Sequence, residues 1–172
     1  NHRHPAGSLQ HMTWVDAGAF RALFRAVPSA VGIVAVRLDG TVHATTVSSF
    51  CSVSLEPALL MVALHRESAI LQTIREQGSF GLSVLAHDQE ELARKGAERG
   101  AGSLGSQYWA DESTKPRLAG AVAWAGCEIE HLYPGCDHEL VVARVVDSQV
   151  RGGPALIHHA RAYHRAGYDD RG

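Results

Sequence analysis

The chain has 172 residues with 16 basic and 18 acidic side chains, a formal charge of −2, and so suits one domain with a core of its own. Its interspersed charges argue against a nucleic-acid surface, and it shows neither a membrane-length apolar run nor a signal-peptide pattern. Three cysteines at unrelated spacings, Cys51, Cys127 and Cys136, suit reduced thiols of a cytoplasmic protein better than a disulfide framework or a zinc site.

Residues 1–11 are polar, His-rich and patternless, and His11-Met12 has the look of a cloning junction. They are read as a non-native leader, leaving residues 12–172 as a single domain. Asp16 is placed to cap a helix carrying Phe20, Leu23, Phe24 and Val27 at helical spacing, with Pro28 to stop it. Val31–Val36 reads as a strand, and Asp39-Gly40 as a hairpin turn into Thr41–Ala44. Beyond Pro57, Ala58–Leu64 is a run fit for a buried strand. Ser68 opens a second helix with Ile70, Leu71 and Ile74 on one face and Gly78 as its stop. Phe80–Leu85 is a strand, His87–Lys95 a polar helix, and 96–117 a Gly/Ser-dense loop containing Tyr108-Trp109. Strands Ala121–His131 and Glu139–Val150 are joined by Leu132–His138, and a last strand, Ala155–Tyr163, follows Gly152-Gly153-Pro154. Short strands with hairpin-like links predict a mainly β protein, an antiparallel barrel or sandwich with peripheral helices. No glycine-rich turn of the dinucleotide-binding kind is present.

Three segments could carry chemistry. Thr45–Pro57 is dense in serine and threonine hydroxyls among β-branched residues. That composition suits an anionic, hydrogen-bonding ligand, or an edge strand with its polar face in water. Leu64–Ser68 runs from a strand end into a helix start and offers Arg66 and Ser68 to a phosphate, or only a capping serine and a solvated arginine. Gly135-Cys136-Asp137-His138 places an acid beside an imidazole in a tight turn, and an Asx-type turn would look the same. His158 and His159, adjacent on a strand, point to opposite faces and cannot chelate one metal; no metal site is expected.

In that order along the chain, Thr46–Pro57, His65–Ser68 and Gly135–Val145 resemble the short-chain flavin reductase family, the NAD(P)H:flavin oxidoreductase partners of two-component flavin monooxygenases. The resemblance spans about residues 18–165. It implies a split β-barrel of Greek-key, FMN-binding type, acting as a homodimer with FMN or FAD near the subunit interface and NADH or NADPH as hydride donor. On the same basis Thr46, Val47, Ser48 and Ser49 would line the isoalloxazine and ribityl region, with Cys51, Ser52 and Val53 adding backbone contacts. Arg66 and Ser68, with His65, would face the phosphate. His138, oriented by Asp137, would seat the nicotinamide. Ala30 and Cys136 stand where the family often has glycine, and the 96–117 stretch replaces a phenylalanine-bearing loop. Two other readings stay open: a flavin-binding module or sensor with this barrel but no turnover, and a relative that oxygenates or oxidises a small substrate on tightly held flavin.

Overall fold

The computed structural model describes residues 14–98 and 104–167; the leader read into residues 1–11 lies outside them. In chain order the elements are α1 (Ala17–Arg25), β1 (Ser29–Ala30), β2 (Gly32–Leu38), β3 (Thr41–Val47), β4 (Phe50–Leu55), β5 (Ala58–His65) and α2 (Ala69–Gln77). There follow β6 (Ser79–Val84), α3 (Glu90–Ala97), a 3₁₀ turn at Ser106–Tyr108, β7 (Ala123–Gly135), β8 (His138–Val150), β9 (Leu156–His159) and β10 (Ala162–Arg165). Seven strands form one antiparallel sheet in the order β3-β2-β6-β7-β8-β5-β4, and β1-β9-β10 form a second. Among the described residues no helix is long and apolar enough to cross a membrane.

The large sheet cannot lie flat. Its two edge strands, β3 and β4, are consecutive in the chain and separated only by Ser48-Ser49. At ~4.8 Å per strand a flat sheet would set its edges about 29 Å apart, whereas Val47 to Phe50 spans at most ~10 Å. The sheet therefore curls until its edges approach, giving a barrel split between β3 and β4. Inside it Val34, Val36, Val62, Leu64, Phe80, Leu82 and Val141 are buried, and α2 adds Ile70, Leu71 and Ile74. The opposite face of β2 carries Ile33 and Ala35 into a second cluster with Leu92 and Ala93 of α3 and Leu156 of β9. A strand buried on both faces needs apolar residues at every position, which Ile33-Val34-Ala35-Val36 supplies.

Local signals set the boundaries. Asp39 and Gly40 both take positive φ, 49° and 76°, as a two-residue hairpin turn requires. Gly78, at φ 67°, ends α2 by donating its N–H to the Ile74 carbonyl at 2.8 Å. Asp16 caps α1 through the Gly18 and Ala19 N–H groups at 2.7 and 2.9 Å.

Several expectations need correction. The last strand is two strands, because Ala160 and Arg161 adopt left-handed backbone and reverse the chain between β9 and β10. The Leu132–His138 link is mostly strand: β7 continues to Gly135 and pairs it with His138. The polar helix starts at Glu90 rather than His87; His87 and Gln89 instead donate their N–H groups to Pro154 and Ala86 carbonyls at 3.0 Å. The apolar stripe of α1 borders His158–Ala160 but is left largely uncovered by the described residues, with Phe20, Leu23 and Phe24 52–61% exposed.

Gly81 sits in the middle of β6, where an added Cβ would strike the Pro116 carbonyl oxygen and the Trp124 indole. Gly81→Ala should therefore destabilise the fold by about 1–3 kcal/mol, read as a lowered urea midpoint at unchanged m-value.

Candidate functional site

The site is built where β5 meets β8. Antiparallel pairing sets His65 directly opposite His138, with Leu64 opposite Glu139. The two imidazoles make an edge contact, centroids 5.4 Å apart at 75°. The chain leaving β5 then ties down the β7–β8 turn. The Arg66 N–H donates to the Asp137 carbonyl at 3.0 Å, and the Arg66 guanidinium donates to the Cys136 carbonyl at 3.1 Å. Cys136 carries φ 61°, a backbone that glycine takes at less cost, so the Arg66 bonds brace a strained corner. Ser68 donates its hydroxyl to the His65 carbonyl at 2.7 Å, closing the entry to α2.

Charge and hydrogen bonding orient both rings. Asp137 accepts from His138 Nδ1 at 2.9 Å, and this bond, with the nearby imidazoles, holds the Asp137 carboxyl below its ordinary 3.8. A lowered carboxylate pKa means the tie is intact at neutral and mildly acidic pH and is lost only as pH falls through that lowered value. His65 Nδ1 accepts the Glu67 N–H at 3.3 Å. Glu139, next to His138, is 7% exposed and pairs with Arg75 from the last turn of α2. A buried carboxylate needs such a partner, so Arg75 anchors β8 immediately behind the site. Sequence reasoning passed over this pair; its one signal is an acid opening the otherwise apolar run Leu140–Ala143.

The hydroxyl-rich segment divides at the split. Thr46 donates its hydroxyl to the Ala93 carbonyl of α3 at 2.8 Å, and Thr45 reaches Gly96 at 3.4 Å. Val47 is buried in the barrel interior. Val47 therefore has only backbone groups for a ligand, while the donated hydroxyls of Thr46 and Ser49 keep acceptor capacity alone. Ser48 is exposed, and Ser49 donates its hydroxyl to the Ala63 carbonyl at 2.8 Å while its own carbonyl takes the Ala63 N–H. That register puts Ser49 two residues, roughly 7 Å along β5, from His65. Cys51, Ser52 and Val53 are exposed on β4, whose pairing with β5 shifts between Ser52 and Ser54.

As an edge strand, β4 leaves backbone N–H and C=O groups unpaired on its outer side. Free backbone donors, exposed serines and a cationic corner two residues away are the donor set that a flavin's ring carbonyls, ribityl chain and phosphate require. The residues present fit that group.

Fold and site thus define a split-barrel protein with an unpaired strand edge beside its His65–His138 corner. The family model for the flavin reductase like domain matches residues 24–167. The NADH-dependent FMN reductase AsuE2 of Streptomyces nodosus subsp. asukaensis is 34% identical over 157 residues, covering 84% of this chain and 82% of the relative. The reductase component of 4-hydroxyphenylacetate 3-monooxygenase from Thermus thermophilus is 31% identical over 148 residues, covering 86% of this chain and 95% of that one. Among solved structures, BorF, the flavin reductase component of a bacterial two-component tryptophan halogenase, superposes with a TM-score of 0.82 at 32% identity, over 90% of this chain and 100% of its own. The chain belongs to the flavin reductase like family.

The three thiols differ sharply in setting. Cys127 is buried, and desolvation pushes its pKa up to about 12, whereas Cys51 and Cys136 are exposed. A thiol-exchange reagent should consume two equivalents rapidly in the native protein and a third only after unfolding.

Proposed function

We propose that this protein is an NAD(P)H:flavin oxidoreductase that reduces FMN or FAD and hands the reduced flavin to a separate monooxygenase component. The observation that carries the proposal is the convergence near one end of β5 of the Ser48-Ser49 link that opens the β4 edge, the His65–Ser68 corner and the Asp137-bound His138. Family membership supports the same reading, as do the names of the relatives, which specify NADH-dependent FMN reduction and the reductase component of a monooxygenase.

The flavin, when bound, accepts a hydride from the reduced nicotinamide. The protein's task is alignment, which can supply a large part of a two-substrate barrier. Thr46 and Val47 act through backbone groups, and Ser48 and Ser49 through hydroxyl and backbone groups at the split. Cys51, Ser52 and Val53 hold the ring side along the β4 edge. Arg66 keeps further guanidinium N–H groups beyond the one given to Cys136, and with His65 and Ser68 it faces the phosphate end. His138 seats the nicotinamide and is kept in place by Asp137, a positioning residue. No proton-transferring side chain is needed for the hydride itself.

The protein works as a cytoplasmic homodimer. The apolar stripe of α1 supports this: Phe20 and Phe24 lie with ring centroids 4.7 Å apart and mostly exposed, a surface that a second subunit would cover.

Steady-state assays across FMN, FAD and riboflavin should show flavin-dependent oxidation of NADH or NADPH. Flavin binding with no oxidation of either nucleotide would leave only a binding module or sensor. Sedimentation should give twice the chain mass. Asp137→Ala should raise the KM for the nicotinamide nucleotide about five- to tenfold, the worth of one ordinary hydrogen bond, while the flavin KM stays unchanged. A flavin KM that moved instead would place Asp137 on the wrong substrate.

A further inference from the structure

The hydrogen bonds of the two facing histidines determine which nitrogen of each ring carries a proton. A backbone N–H can only donate, so the Glu67 N–H at 3.3 Å from His65 Nδ1 requires that nitrogen to be the acceptor. The ring proton of neutral His65 then sits on Nε2. The Asp137 carboxylate can only accept, so His138 Nδ1, at 2.9 Å from it, must be protonated. In neutral His138, Nε2 is then a bare acceptor. Neither Nε2 has a protein partner among the described residues. The rings meet edge-on across the β5–β8 pair, 5.4 Å between centroids at 75°. One ring therefore offers a donor and its neighbour an acceptor at adjacent positions of the β5–β8 pair.

A primary carboxamide presents the complementary pair, an oxygen acceptor and an N–H donor on one carbon. We infer that His65 and His138 together read the carboxamide of the nicotinamide ring, His65 Nε2–H donating to its oxygen and His138 Nε2 accepting from its amide nitrogen. The inference rests on the placement of the nicotinamide at His138 proposed above, and it moves His65 from the phosphate end to the hydride donor. Anchoring both atoms of the amide fixes the ring's rotation as well as its position. A site that hydrogen-bonds both atoms also rejects analogues lacking either one, because a desolvated histidine nitrogen is left unpaired.

Two NADH analogues separate the two bonds. In thionicotinamide adenine dinucleotide, a poorly accepting sulfur replaces the oxygen; in the 3-acetylpyridine analogue, a methyl replaces the amide nitrogen. Each reduced donor is assayed with saturating FMN, and its kcat/KM is expressed relative to NADH, so that intrinsic differences in hydride donation cancel between variants. His65→Phe keeps the ring contact and removes the donor. It should lower kcat/KM for NADH about tenfold, erase the wild-type penalty on the thio analogue, and leave the acetylpyridine penalty intact. His138→Phe should do the converse. His65→Gln, which restores an N–H donor, should recover part of both the rate and the thio discrimination; it also serves if the Phe variant fails to fold.

A purely structural role for His65 would move neither ratio. The inference is overturned if His65→Phe leaves the thio penalty in place while His138→Phe still abolishes the acetylpyridine penalty; the nicotinamide placement would then survive. It is overturned together with that placement if neither variant changes either ratio. A raised flavin KM in His65→Phe with both ratios unmoved returns His65 to the flavin side.

Discussion

Two serines joining opposite edges of a seven-stranded sheet are the constraint from which the rest of the molecule follows. Ser48-Ser49 is too short to cross a flat sheet, so the sheet must roll, and rolling produces an interior for Val34, Val62, Phe80 and Val141 to fill. β3 and β4 themselves do not pair with each other. The barrel is held closed by covalent connection at that point and not by a hydrogen-bond ladder, and two strand edges with unpaired backbone groups result. The flavin contacts proposed above use backbone groups that incomplete closure leaves free.

The packing around the split shows how hydroxyl-rich sequence divides its labour. Thr46 spends its hydroxyl on α3, which approaches so closely that Gly96 could not bear a side chain: a Cβ there would lie 2.5 Å from Thr46 Oγ1. Ser49 spends its own on β5. Ser48 in the link and Ser52 on β4 remain open. One composition thus serves to lock a helix, join two strands and face solvent within seven residues.

Much of this could be read from the chain itself. Ile33–Val36, the Asp39-Gly40 turn and the Gly78 stop are local signals with local causes, and each lies where its chemistry predicts. The two short motifs of the site, His65–Ser68 and Gly135–His138, were also visible as separate clusters of donors and acids. Their adjacency was not, because it depends on which strand pairs with which, and alternation along β5 and β8 is equally compatible with other partners. The protonation pattern of the two imidazoles was hidden for the same reason: it depends on Glu67 and Asp137 as neighbours in space. The division of β9 from β10 escaped because Ala160 and Arg161 are not turn formers; the ladder on either side forces them into left-handed backbone. The α1 stripe marked a helix but could not say what covers it.

The β5–β8 pairing carries one more implication. Arg66 and Cys136, bonded across the corner, are 70 positions apart in the chain, so this contact closes one of the long loops of the fold. Loops of that size lose entropy before any contact rewards them, and pairings that close them form late relative to hairpins such as β2–β3. A chain arrested with its hairpins formed but β5 not yet against β8 would have the serine-lined edge and no histidine pair. The histidine pair thus exists only once β5 has met β8, so the proposed nicotinamide subsite depends on a long-range pairing and not on any one hairpin.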